Sequence, residues 1–337
     1  MSTLKCTNLQ HASAASPSIV LAADGSATAQ LSSINGGPLA GFRNTIINGN
    51  FDIWQRGTSF TDVDGYTADR WRTIRSGSTR TLSRQAFTAG QSDVPGNPTY
   101  FCRSVVTSSA GAGNFVCLLQ RIEGVRTFAG EQVALSFWAK ADATKSIAIE
   151  FAQSFGGGGS PSGDVNAIGV TKILLGTSWQ KFTVVTTIPS ISGKTIGTDG
   201  SDVLDAVFWF DAGSNYNSRT DTLGQQSGTF DIAQVQLELG PVATQFERRP
   251  IGMELSLCQR YYQHYSGLAA FATCTTGDAA TANRKILPIE MRAAPTVSVA
   301  FASGSGSSIT ATKLAISQSN LHTTNADATT LTLSAEL

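Results

Sequence analysis

The run from Trp209 to Arg219 holds the densest set of groups suited to binding a sugar. Saccharide recognition needs an aromatic face for the ring and planar polar groups that engage hydroxyls in pairs. Trp209 and Tyr216 offer the faces; Asp211, Asn215, Asn217 and Arg219 offer carboxylate, amide and guanidinium groups. The run starts at the end of a strand-like segment and enters a loop, the usual place for binding groups on a rigid scaffold. These six residues are the expected glycan-binding group. The competing reading is an ordinary polar loop.

Catalytic chemistry has less to stand on. His11, His264 and His322 are scattered, and neither a GxSxG nor an HExxH motif occurs. Glycoside hydrolysis needs two carboxylates roughly 5 to 10 Å apart, and nothing in the sequence marks such a pair. The chain is therefore read as a non-enzyme. Arg70, Arg72 and Arg75 cluster, but Asp62, Asp64 and Asp69 offset them. They are expected on a solvated face. Net charge is zero, so the basic stripe that attracts nucleic acid is missing.

The elements that must position any site are β-strands. Charged residues are 14% of the 337, against roughly 25% in ordinary soluble domains. Gly, Ser, Thr and Asn fill the difference, and 41% hydrophobic residues suffice for a core. Strands are expected at Phe101–Thr107, Phe115–Glu123, Gln132–Lys140, Lys145–Gln153, Gln180–Ile188, Val203–Asp211 and Gly228–Leu239. Alternation in the last runs Phe230, Ile232, then Val235, Leu237, Leu239, so a β-bulge is expected near Ala233 and Gln234. Such a series, with polar loops between, reads as an all-β sandwich.

Residues 43–72 contain Phe51, Trp54, Phe60, Tyr66 and Trp71 among Ile46, Ile47 and Ile53. Those neighbours need burial, so the aromatics are expected to close the core rather than to meet a ligand. Phe137 and Trp138 are adjacent in one strand and should split between core and surface.

Four segments are expected. Residues 1–40 lack aromatics and cannot bury a core alone; a hairpin is expected around Asp24-Gly25. Residues 41–248 form the sandwich, 249–266 a linking helix, and 267–337 a small β domain lean in large side chains. Across residues 250–265, Ile251, Leu255, Cys258, Tyr262 and Tyr265 follow a 4-3-4-3 spacing. That is the seam of a short axial helix where copies meet, or the buried side of a helix packed on its own sandwich. The five cysteines show no metal spacing. They are expected as reduced thiols, although Cys102 and Cys117 could be neighbours. No secretory signal and no membrane-spanning run are found.

INGNFDIWQRGTSF (47–60), YTADRW (66–71), ALSFWAKA (134–141), FDIAQVQLELGPVATQFERRP (230–250) and ELSLCQRYY (254–262) occur in order over about 220 residues. In that arrangement the chain resembles phage tail-fibre and adhesin proteins, especially of marine and cyanobacterial phages. The resemblance implies a virion structural protein with a carbohydrate-binding-module-like jelly roll, commonly trimeric. It implies tail or baseplate partners through the N-terminus, host surface polysaccharide as receptor, and assembly in the host cytoplasm. It also implies no cofactor, except a structural Ca²⁺ held by Asn50, Asp52 and Asp231, hard oxygen ligands of the right kind. The alternative for Asp52 and Asp231 is outward-facing strand residues. The alternative functions are a baseplate or head decoration protein and, behind it, a fibre-borne polysaccharide depolymerase.

Overall fold

A computed structural model of the chain describes residues 6, 8–9, 19–24, 27–29, 42–266, 283–301, 309–313, 315–318 and 328–337. The first three strands, β1 (Asn8–Leu9), β2 (Ile19–Leu21) and β3 (Ala27–Ala29), form an antiparallel sheet. β2 and β3 pair Leu21 with Ala27 around Asp24-Gly25, the hairpin expected there. Among the N-terminal residues, Leu4, Lys5 and Thr7 lie outside the described residues, as does Cys274.

Twelve strands then build two six-stranded sheets. They are β4 (Ser59–Thr61), β5 (Gly65–Tyr66), β6 (Trp71–Ser76), β7 (Thr79–Ala86), β8 (Tyr100–Thr107), β9 (Phe115–Glu123), β10 (Gln132–Ala141), β11 (Lys145–Ser154), β12 (Val165–Leu175), β13 (Gln180–Thr187), β14 (Val203–Ala212) and β15 (Gly228–Leu239). One sheet has the order β13-β10-β15-β8-β7-β4 and the other β12-β11-β14-β9-β6-β5. Every pairing is antiparallel. The result is a jelly-roll β-sandwich. The seven expected strands are present within a residue or two. The expected bulge is present too: β10 and β15 slip register between Ser136 and Trp138, with Gln234 at φ 49°. β4 to β7 and β12 were not expected. β12 is irregular, with Ala167 and Gly169 at positive φ, which breaks the alternation that would have marked it.

Alternation sends Phe137 into the core, fully buried, and leaves Trp138 half-exposed on the opposite face. Phe51 stacks on Trp71 at 4.9 Å, Trp71 meets Phe208 at 6.1 Å, and Phe208 meets Phe137 at 5.1 Å. This chain of rings links the opening segment to both sheets, so Phe51, Trp54 and Trp71 are core, as their apolar neighbours required, with Phe60 packed partly buried against it and Tyr66 half-buried. The solvated-face expectation fails for Arg70, which is 1% exposed and ion-paired with Glu336. Arg72 and Arg75 are half-buried. Cys102 lies on one sheet and Cys117 on the other, both buried and both free.

A 3-10 turn (Ser214–Tyr216) and α1 (Asn217–Thr220) follow β14; α2 (Ile251–Gln259) follows β15. α2 is shorter than the helix expected over 250–265. After it the chain enters β16 (Tyr262–Ser266), which pairs with a distant C-terminal strand. The proposed seam is thus not one helical face. Ile251 is exposed and Leu255 half-buried, Cys258 is fully buried, and Tyr262 and Tyr265 sit on the strand. Tyr262 lies under the Arg56 guanidinium at 3.5 Å, inside its own chain.

The remaining strands are β17 (Asn283–Ile286), β18 (Thr296–Phe301), β19 (Ile309–Ala311), β20 (Ala315–Gln318) and β21 (Ala328–Ser334). They form sheets of order β16-β21-β18 and β17-β20-β19. Leu287, Met291, Leu331 and Leu333 make a small separate core. Among the described residues, no helix is long and apolar enough to cross a membrane.

Candidate functional site

The structure gathers the residues of 209–219 but buries their chemistry. Trp209 is 2% exposed and packs with Cys117, Leu119 and Val207 on the outer face of the second sheet. Tyr216 lies over it, with ring centroids 5.2 Å from Trp209 and 4.9 Å from Phe115. Asp211 is fully buried and accepts from Ser78 Oγ, Ser108 Oγ and the Gln226 amide. Arg219 donates from Nε to Glu150 at 2.9 Å, and the Trp209 Nε1–H donates to the same carboxylate. Of the six candidates, Asn215 and Asn217 are exposed, and Tyr216 and Arg219 are half-buried. The loop is a lid over a fully buried Glu150, because an uncompensated carboxylate there is costly. Trp209 and Asp211 have no surface to offer a ligand.

The calcium trio is not assembled. Asp231 is held by Arg103 through two hydrogen bonds of 2.7 and 2.9 Å, with Lys140 at 3.9 Å. Its charge is balanced by cations, which oppose a metal. Asn50 instead donates from Nδ2 to Asp52 Oδ2 at 2.8 Å. Among the described residues, no group of three or more acidic, His or Cys side chains could hold an ion.

Asn50 and Asp52 do line a cavity of about 690 Å³. That volume lies within the roughly 300 to 1,000 Å³ typical of ligand clefts. Three distant segments meet there. The first is the turn at 48–53, pinned because Asn48 Nδ2 donates to the Ile53 and Asp69 carbonyls and the Ile53 amide donates back to Asn48 Oδ1. The second is the β7–β8 pair, which supplies Arg84 and Tyr100. The third is 246–254, ending in the first turn of α2.

Within this third segment the adjacent arginines divide. Arg249 turns inward, 4% exposed at its side chain, donating to the Asn44 and Ile46 carbonyls and pairing with Glu254. Arg248 stays exposed on the cleft wall.

One cleft group is left partly unsatisfied while its neighbours are engaged. Asn50 is 7% exposed and its Oδ1 has no hydrogen-bond partner, which is unusual for a buried polar atom. Burial raises the Asp52 carboxyl above its ordinary range, against the opposing pull of Asn50 and the Arg248 charge. Arg84 stacks on the Tyr100 ring at 4.3 Å. Glu247 accepts from the Asn44 amide, and Glu254 from the Asn48 amide and Arg249. A second cavity of about 110 Å³ adjoins, walled by Trp138 and Lys181. Asn50, Phe246 and Arg248 line both.

Sequence reasoning missed Arg84, Tyr100 and Arg248. Arg84 and Tyr100 sit on strands whose pairing, Arg84 with Cys102 and Ala86 with Tyr100, is not legible locally. The RRP run at 248–250 was a usable signal, since two arginines before a helix-opening proline cannot both point the same way.

No protein-family model matches the chain, and no curated protein matches it. Solved structures show a loose likeness. A CBM4 structure aligns at 17% identity and TM-score 0.32, over 57% of this chain and 97% of that one. The enzymatically active domain of Bacteriophage CBA120 tailspike protein 4 aligns at 16% and 0.33, over 58% of this chain but only 21% of that one. A family 11 carbohydrate-binding module from Clostridium thermocellum, in complex with a mixed-linked tetrasaccharide, aligns at 12% and 0.31, over 56% and 98%. These scores are far below 0.5, so a functional reading has to stand on the cleft.

Proposed function

We propose that the chain is a glycan-binding virion protein, a phage tail fibre or adhesin that attaches the particle to host surface polysaccharide. The cleft carries the reading. An unpartnered buried amide oxygen, a carboxylate, two guanidinium groups and aromatic walls converge on a space of sugar size. Such groups engage hydroxyls through paired hydrogen bonds. Binding rather than hydrolysis is favoured because Glu247 and Glu254 are engaged with backbone amides.

In this proposal residues 1–40 dock on the tail or baseplate, the sandwich over 41–248 binds the receptor, and the C-terminal region over 267–337 lies distally. Copies assemble as a homotrimer in the host cytoplasm before joining the virion. Weak sites then act together through multivalency.

The test is adsorption of labelled protein to host cells and to a glycan array, wild type against Asn50→Ala plus Asp52→Ala. Loss of adsorption with an unchanged melting temperature is expected. Unaltered adsorption by the double variant overturns the assignment of the cleft.

A further inference from the structure

We infer that the ligand is an oligosaccharide of two or more sugar units, one seated in the large cleft and the next stacked on Trp138 in the adjoining cavity; this rests on the glycan reading above. Trp138 stands apart from the other tryptophans. Trp54 stacks on Phe60 and donates to the Phe51 carbonyl. Trp71 stacks on Phe51 and donates to the Asn48 carbonyl. Trp179 packs against Phe87 and Phe101, with the Lys140 ammonium 5.4 Å from its ring centre. Trp209 meets Tyr216 and donates to Glu150. Of the five tryptophans, Trp138 alone has no ring, cation or hydrogen-bond partner among the described residues. It is half-exposed on a cavity wall, so its π-face and its indole N–H are both free for a ligand.

The sheet fixes the ring in place. Phe137 fills the core side of β10, so Trp138 must face out. The walls beside it are tied down. Gln234, at the bulge opposite, donates to the Pro95 carbonyl at 2.7 Å. Arg248 Nη1 donates to the Gly96 carbonyl at 3.3 Å, and Lys181 Nζ to the Thr244 carbonyl at 2.9 Å. These bonds join the 95–98 and 244–248 segments to each other and to the sheet that carries Trp138. A platform held this way is preformed, so little ordering is needed when a ligand arrives.

The two cavities share Asn50, Phe246 and Arg248 as lining. Aromatic side chains therefore recur across the pair: Tyr100 in the large cleft, Phe246 in both, Trp138 in the small one. A chain of pyranose rings presents an apolar face with every unit, so a row of aromatic side chains matches it better than a single ring does. Asn50 Oδ1, a buried acceptor without a donor, stands where either unit can bring it a hydroxyl. Charge makes no competing demand. The large cleft sets Asp52, Glu247 and Glu254 against Arg84, Arg248 and Arg249, which leaves recognition to ring faces and hydroxyls.

The experiment titrates the full chain with gluco-, manno-, galacto- and xylo-oligosaccharides of one to four units. In a series that binds, affinity is expected to rise about tenfold from one unit to three. Trp138→Ala should remove most of that rise at an unchanged melting temperature. Trp138→Phe, which keeps a smaller ring, should retain part of it and guards against a misfolded alanine variant. Equal affinity for short and long members of every binding series overturns the inference and leaves the glycan reading standing. A length advantage that both Trp138 variants leave intact overturns it as well. Binding to no member of any series overturns both.

Discussion

Arg70 and Glu336 meet as a buried ion pair although 266 residues separate them; their side chains are 1% and 8% exposed. Glu336 also accepts from Arg56 Nη2 at 2.9 Å, and Arg56 reaches Asp69 at 3.0 Å. Tyr66 Oη donates to the Leu337 carbonyl at 2.8 Å. The chain end is thereby fastened to the opening segment of the sandwich. Glu336→Gln leaves Arg70 without its counter-charge in a dry site. A loss of about 3 kcal/mol is expected, read as a lower denaturant midpoint. Proteolysis should accelerate first in the 262–337 region, because the fastening fails before the sandwich does.

Asp205 makes a pH-dependent contribution. Burial pushes its carboxyl up to about 6, despite Arg121 at 3.6 Å. A folded-state value above the unfolded one means that the native state binds the proton more tightly. Its stabilising effect is therefore fully present below about pH 4 and is lost as pH rises through 6. Asp69, also pushed up to about 6 by burial, acts in the same direction. Asp205→Asn should flatten the stability profile between pH 4 and 6. It should raise stability at pH 7 by on the order of 2 kcal/mol. A profile unchanged from wild type in thermal melts across pH 4 to 8 would show that Asp205 does not titrate there.

Arg219 and the cleft separate scaffold from binding. Arg219→Ala strands Glu150, which is fully buried. The loss should be about 3 kcal/mol, with glycan binding by the surviving folded fraction unchanged. Reduced affinity at unchanged stability would return the loop to the binding surface.

Gly49 marks where the turn at 48–53 touches the β15 bulge. A Cβ there would lie 2.1 Å from the Val235 carbonyl oxygen, while the Val235 amide donates to the Gly49 carbonyl. Both partners are backbone, so neither can swing away. Gly49→Ala should cost about 1 to 3 kcal/mol and weaken ligand binding too, since the same turn carries Asn50 and Asp52. Unchanged melting and affinity would show that the turn can shift without harm.

The legible part of this protein is what neighbouring residues decide together. The apolar setting of Phe51 and Trp71 required burial, and both are in the core. The phase slip at Ala233 and Gln234 announced the bulge, and alternation placed Phe137 inward and Trp138 outward. Period and burial are local properties, so sequence determines them. Pairing across the chain is not local. The heptad-like spacing from Ile251 to Tyr265 suggested one helix, yet β16 is a strand because β21, some seventy residues on, hydrogen-bonds to it. Trp209, Asp211 and Arg219 looked like a ligand platform until the fold set a buried Glu150 beneath them. The cleft exists only because residues 50–52, 84–100 and 246–254 converge in space. Whether a charged or aromatic side chain is structural or free to bind depends on what the tertiary structure packs against it.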